Sequence, residues 1–65
     1  MKRKKLIKYL LEMGCYSARE GSGHSVFVNP EKRRRTTVPR HAELNDFLAE
    51  NICKQLGIPK MRKGK

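Results

Sequence analysis

Apolar residues recur along the chain with two different periods, and the switch between them outlines a fold. Leu6, Leu10 and Met13 fall at i, i+4 and i+7, and Ile7 and Leu11 widen the stripe. Lys2, Arg3, Lys5, Lys8 and Glu12 take the remaining face. This spacing predicts an amphipathic helix over residues 3–13. Gly14 follows where a left-handed C-terminal cap belongs. Residues 15–20 read as a short strand, and Gly21-Ser22-Gly23 as a tight turn. Residues 24–28, His-Ser-Val-Phe-Val, form the clearest strand. Asn29 to Lys32 make a turn in which Pro30 presets φ. Arg34 to Val38 are the next strand, and Pro39 ends it by withholding a donor. The period then returns to helical over 45–56, where Leu48, Ile52 and Leu56 share a stripe with Cys53 beside them. Asn45 is a suitable N-cap, Asp46 suits the positive end of the helix dipole, Gly57 closes the helix and Pro59 stops it.

The order is therefore α-β-β-β-α, an α+β fold. Short connections favour an antiparallel three-stranded meander. Each helix has one apolar stripe to bury, which is met most economically by placing both helices on one face of the sheet. The other face is left to solvent or a partner. Strand alternation allows two arrangements over 24–28. Either Val26 and Val28 face the core and draw His24 inward, or Phe27 faces the core and the valines lie exposed beside His24. The second is favoured, and valines exposed there would suit contact with a partner. Residues 1–59 are expected to be one domain and 60–65 a disordered basic tail.

Charge sharpens this picture. The 65 residues carry 16 Lys+Arg against 6 Asp+Glu, a net charge of +10. Residues 1–41 hold +8, residues 42–59 hold −2 and residues 60–65 hold +4. An excess so unevenly spread points to a polyanionic partner, of which nucleic acid is the commonest. The N-terminal two-thirds and the tail would meet it. A domain of this size buries only about 60% of its unfolded surface, which leaves no room for a deep cofactor cavity. No apolar run approaches the ~20 residues of a membrane helix. Lys8 and Glu12 interrupt what would have to be a signal-peptide core, so the cytoplasm is the expected compartment and no membrane association is expected. Cys15 and Cys53 form no C-x-x-C pair and read as buried free thiols. No metal site and no cofactor are expected.

The candidate chemistry centres on His24, directly after the Gly-Ser-Gly turn. Glycines there let the backbone approach a ligand and take positive φ. Histidine is the side chain that ordinarily gives and takes protons near neutrality. With Arg and Lys to hold a phosphate, that equipment suffices for metal-free RNA cleavage, in which a base deprotonates the ribose 2′-hydroxyl for attack on the adjacent phosphate. Taken locally, His24 reads first as a surface histidine in a Gly-rich turn. His41, after Pro39-Arg40, reads as a loop residue, a second acid/base group or a phosphate contact. Lys32 and Arg33-Arg34-Arg35 make a dense basic hairpin suited to bidentate phosphate contacts, or simply a solvated tip. Lys2, Arg3, Lys4 and Lys5 stand at a helix N-terminus, where cations oppose the dipole.

Several of these features occur together in one known family. The basic first helix ending in Gly, the turn Gly21-Ser22-Gly23-His24, the stretch Val38-Pro39-Arg40-His41 running through Glu43-Leu44, and a helix ending Lys54-Gln55-Leu56-Gly57 resemble the HicA family over residues 1–58. The resemblance implies a double-stranded-RNA-binding-domain-like fold. It also implies an mRNA interferase, the toxin of a type II toxin–antitoxin pair, with a HicB-type antitoxin covering the active site. On that likeness His24 is the catalytic residue and His41 a possible second acid/base or phosphate contact. Lys2, Arg3, Lys4, Lys5, Ser22, Arg33, Arg34, Arg35 and Arg40 would be the RNA contacts. Two features depart from the family pattern: Gly23 separates Ser22 from His24, and the tail after Gly57 is longer and more basic. The rival readings are a non-catalytic RNA-binding module of the same fold, and a small ribosome-associated or DNA-binding protein.

Overall fold

The computed structural model describes residues 1–60. The chain forms α1 (Arg3–Glu12), β1 (Tyr16–Glu20), β2 (His24–Asn29), β3 (Arg34–Pro39) and α2 (Asp46–Leu56). The strands form an antiparallel sheet in the order β1-β2-β3. The expected α-β-β-β-α order and open antiparallel sheet are both present. The tail expected to be disordered lies outside the described residues from position 61 onward. Lys60 is described, and its ammonium sits 3.9 Å from Glu50.

One core joins the helices to a single face of the sheet. Leu6 and Leu10 of α1 meet Phe27 and Val38 of the sheet and Ile52 and Leu56 of α2. The stripe on α1 is narrower than its sequence suggests: Ile7 packs against the core, but Leu11 is 54% exposed. Strand β1 lies outside the helical cover, exposed along all five residues.

Both helices close in the same way. The amides of Gly14 and Cys15 donate to Leu11 and Leu10, and those of Gly57 and Ile58 donate to Lys54 and Cys53. Both glycines are left-handed, with φ of 90° and 75°. Each pair of bonds satisfies carbonyls that a helix end would otherwise orphan. In each case the residue after the glycine, Cys15 or Ile58, is buried in the core. At the other end of α2, Asn45 Oδ1 accepts from the Leu48 amide at 2.7 Å.

Strand β2 runs one residue further than expected, because Asn29 is a core residue and not part of the turn. Its side-chain amide donates to the Leu56 carbonyl at 2.7 Å, joining the end of β2 to the end of α2. Thr36 makes a similar link to Gln55. A further connection was not foreseen: residues 1–3 pair antiparallel with 42–44. Arg3 donates to the Ala42 carbonyl at 2.9 Å, and Leu44 to the Met1 carbonyl at 2.8 Å. This pins the start of α1 to the β3–α2 connection and brings Glu43 within 3.3 Å of Lys2. The carboxylate offsets part of the unfavourable charge at that helix end.

Gly57→Ala should destabilise the fold by about 1–2 kcal/mol, since a Cβ is penalised in the left-handed region. Urea unfolding should show a lower midpoint with an unchanged slope.

Candidate active site

The turn before β2 closes on a direct backbone contact. Gly21 N–H donates to the His24 carbonyl at 2.8 Å, and Arg40 N–H donates to the Gly23 carbonyl at 3.3 Å. The expectation that these glycines serve positive φ is corrected: neither takes the left-handed conformation. Gly21 is needed for close approach, because a Cβ there would lie 3.0 Å from the His24 carbonyl oxygen. Gly23 faces open space.

His24 is the first residue of β2 and stands opposite Pro39. Ser25, Phe27 and Asn29 are buried while His24 is exposed and Val26 and Val28 are half-buried. The alternation therefore puts the imidazole on the open face beside the two valines, the arrangement favoured from the sequence. Among the described residues the imidazole has no hydrogen-bond partner.

A hydrogen-bonded cluster lies just behind the turn, on the helix side of the sheet. Arg3 Nε donates to the Pro39 carbonyl at 2.8 Å, and its Nη2 donates to Ser25 Oγ at 3.0 Å. The fully buried Ser25 hydroxyl donates in turn to Glu20 Oε1 at 2.8 Å. Arg40 forms an ion pair with the same carboxylate oxygen, and Ser17 donates to the other. Hydrogen bonds from Ser17, then Ser25, then Arg40 hold the Glu20 carboxyl below its ordinary range. Sequence reasoning passed over Glu20; the available signal was a lone acid directly before the Gly-rich turn.

The structure divides the basic residues among three places. Lys2, Arg3, Lys4 and Arg40 line an open groove of about 540 Å³ with Ala42. Arg3, however, is half-buried and aims its guanidinium at Ser25 and Pro39. Lys5, Ser22 and His41 are exposed. The basic hairpin is split. Arg35 pairs with Val28 and faces the open side, whereas Arg34 pairs with Asn29 at the end of the ladder away from His24, about 16 Å along the strand at ~3.3 Å per residue. Arg33 takes a left-handed conformation in the β2–β3 turn, with φ of 55°. The stems of Lys32 and Arg34 lie over Gly57, placing cations at the negative end of α2.

Neither cysteine belongs to this constellation. Cys15 and Cys53 are buried and unbridged, and burial pushes the Cys15 thiol up, away from the reactive thiolate. Among the described residues no three His, Cys, Asp or Glu side chains gather into a metal-binding group, and no helix is long and apolar enough to cross a membrane.

A small α-β-β-β-α domain with an exposed histidine on an open basic sheet belongs to a recognisable class. The model of the family described as the HicA toxin of bacterial toxin–antitoxin systems matches residues 3–58. The chain belongs to the HicA toxin family, and is the toxin of a toxin–antitoxin system. No curated protein and no solved structure matches it.

Because the Glu20 carboxyl is held low, its stabilising contribution is present above the ordinary carboxylate pKa, near 4. That contribution is lost as pH falls through the lower folded value. Thermal melts should show wild type losing more stability between about pH 5 and pH 2 than Glu20→Gln does, with the gap closing at the acid end.

Proposed function

We propose that this HicA-family toxin is a metal-independent endoribonuclease that cleaves mRNA, with His24 as its single essential proton-transfer residue. The observation that carries the proposal is the exposed His24 imidazole on the uncovered face of the sheet, at a turn held by the Gly21–His24 contact. In the reaction the imidazole takes the proton of a ribose 2′-hydroxyl. That oxygen attacks the adjacent phosphorus, the bond from phosphorus to the 5′-oxygen breaks, and the leaving oxygen takes up a proton. The products are a 2′,3′-cyclic phosphate and a 5′-hydroxyl. Charge developing on the phosphate needs nearby donors. Arg40, one residue beyond the Pro39 that pairs with His24, is the candidate, and would have to leave its ion pair with Glu20 on the helix side to reach that phosphate.

In this reading Lys2, Lys4, Lys5 and Ser22 hold the RNA backbone, and His41 stays a candidate phosphate contact or second, non-essential acid/base group. Arg3 supports the site from inside. Arg33 and Arg34 act on RNA extending past the far end of the ladder. Residues 1–59 work as one domain, in the cytoplasm, where mRNA is. A HicB-type antitoxin is the expected partner, covering His24 until it is removed. The rival reading, a non-catalytic RNA-binding module, draws support from the missing hydrogen-bond partner of His24. Catalytic imidazoles are commonly oriented by one.

The test is incubation of antitoxin-free wild type and His24→Ala with a folded and an unstructured RNA in EDTA. His24→Ala should cut at least about 100-fold more slowly and lose growth arrest on expression, with an unchanged circular dichroism spectrum. Undiminished cleavage by the variant would remove His24 from its role. Binding without cleavage by both proteins would establish the binding module.

A further inference from the structure

Strand β1 departs from regular alternation at one point, and the departure changes which side chains reach the open face. Tyr16 pairs with Val28 and Ser17 with Phe27, but Arg19 pairs with Val26 and Glu20 with Ser25. Ala18 is the extra residue of a β-bulge. Without the bulge, Ala18 would face Val26 and Arg19 would face Ser25 on the helix side. With it, Arg19 joins the face of His24 while Glu20 turns back to the Ser25–Arg40 cluster. Bulges re-aim side chains in this way, often next to active sites.

The open face then carries two cross-strand rows below His24. One is Arg19–Val26–Thr37 and the other is Tyr16–Val28–Arg35. A groove of about 410 Å³ runs between them, with a valine floor and Arg19 and Arg35 at diagonal corners. That volume falls within the range of small-molecule sites. Tyr16, 48% exposed, stands opposite Val28 on the neighbouring strand and brings an aromatic residue to this face. No acidic residue occupies a strand position on this face.

We infer that this groove is a nucleotide subsite for single-stranded RNA, with a base lying on Val26 and Val28 and the flanking phosphates held by Arg19 and Arg35. The inference takes RNA as substrate from the reading above and assigns it a path across the sheet. An apolar floor accepts the flat face of any base, an edge aromatic adds stacking, and guanidinium groups suit phosphates. The occupant is an unpaired strand, because a paired base cannot lay its face on the floor. The His24 end and the Val28 row are about 13 Å apart along β2, at ~3.3 Å per residue. A strand crossing the groove therefore continues directly to the imidazole.

The experiment uses a fluorescent 2′-O-methyl oligonucleotide, whose blocked 2′-oxygen prevents cleavage, and measures its affinity for the full chain over a salt series. Arg19→Ser/Arg35→Ser should bind about tenfold or more weakly. The salt slope should fall by about 1.4, the loss of two single-strand phosphate contacts. The control Lys8→Ser/Lys54→Ser removes the same charge from exposed helical positions and should change affinity much less. Tyr16→Ser should weaken binding about fivefold or more. Equal losses in the Arg19/Arg35 variant and the control would overturn the subsite. So would unchanged oligonucleotide affinity with loss only of the antitoxin complex, which would give the face to the antitoxin. His24→Ala should retain the affinity. If wild type fails to cleave RNA while the Arg19/Arg35 dependence persists, the subsite stands and the nuclease reading alone falls.

Discussion

Strand β2 has one face to give to the core, and most of the molecule follows from which face it gives. Ser25, Phe27 and Asn29 turn toward the helices, so His24, Val26 and Val28 turn away. A slip of one residue would bury the imidazole and expose Phe27. The register is anchored at both ends of the strand. Asn29 bonds to the end of α2, and Ser25 is bonded between Arg3 and Glu20. Two of the three inward residues are polar, and both have specific partners. Burying a polar group is tolerable when it is hydrogen-bonded: Ser25 is bonded on both sides, and Asn29 is held through its amide nitrogen while its buried Oδ1 stays unpaired. Those bonds can be made in only one register.

The same requirement explains how so basic a chain handles its charge. Arg3 is spent inside, where its guanidinium joins α1 to β2 and to the end of β3. Glu20 is the counter-charge, gathering Arg40 and two serine hydroxyls. Glu43 sits against Lys2, and the stems of Lys32 and Arg34 cover the end of α2. Among the described residues, Lys4 and Lys5 on α1 and Arg19 and Arg35 on the open sheet are left without such partners and are free to meet a polyanion. The distribution of the surplus, more than its total, bears on function.

The bulge at Ala18 links these two themes. It hands Glu20 to the inner cluster and Arg19 to the open face in a single step. Strand β1 tolerates the lost pairing because it is an edge strand outside the helical cover. A bulge at such an edge also blunts its tendency to pair with another chain.

The sequence alone determined the features that depend on neighbours a few residues away. These were the helical stripes, the Asn45 cap, the two closing glycines and the strand order, because periodicity and cap chemistry act within a turn or a strand; which face of β2 carries His24 was left between two arrangements that the core decided. The family likeness was carried by the same short motifs. What only the tertiary structure decided was set by residues distant in the chain. Arg3 reads as a surface cation until Ser25 and Pro39 are brought beside it. Arg33-Arg34-Arg35 reads as one patch until a left-handed turn and the strand pairing divide it. Arg19 and Glu20 exchange faces through a one-residue shift in cross-strand register, which no local pattern in β1 specifies. Hydrophobic period says which side of a strand is buried, but the partner strand decides where that period is broken.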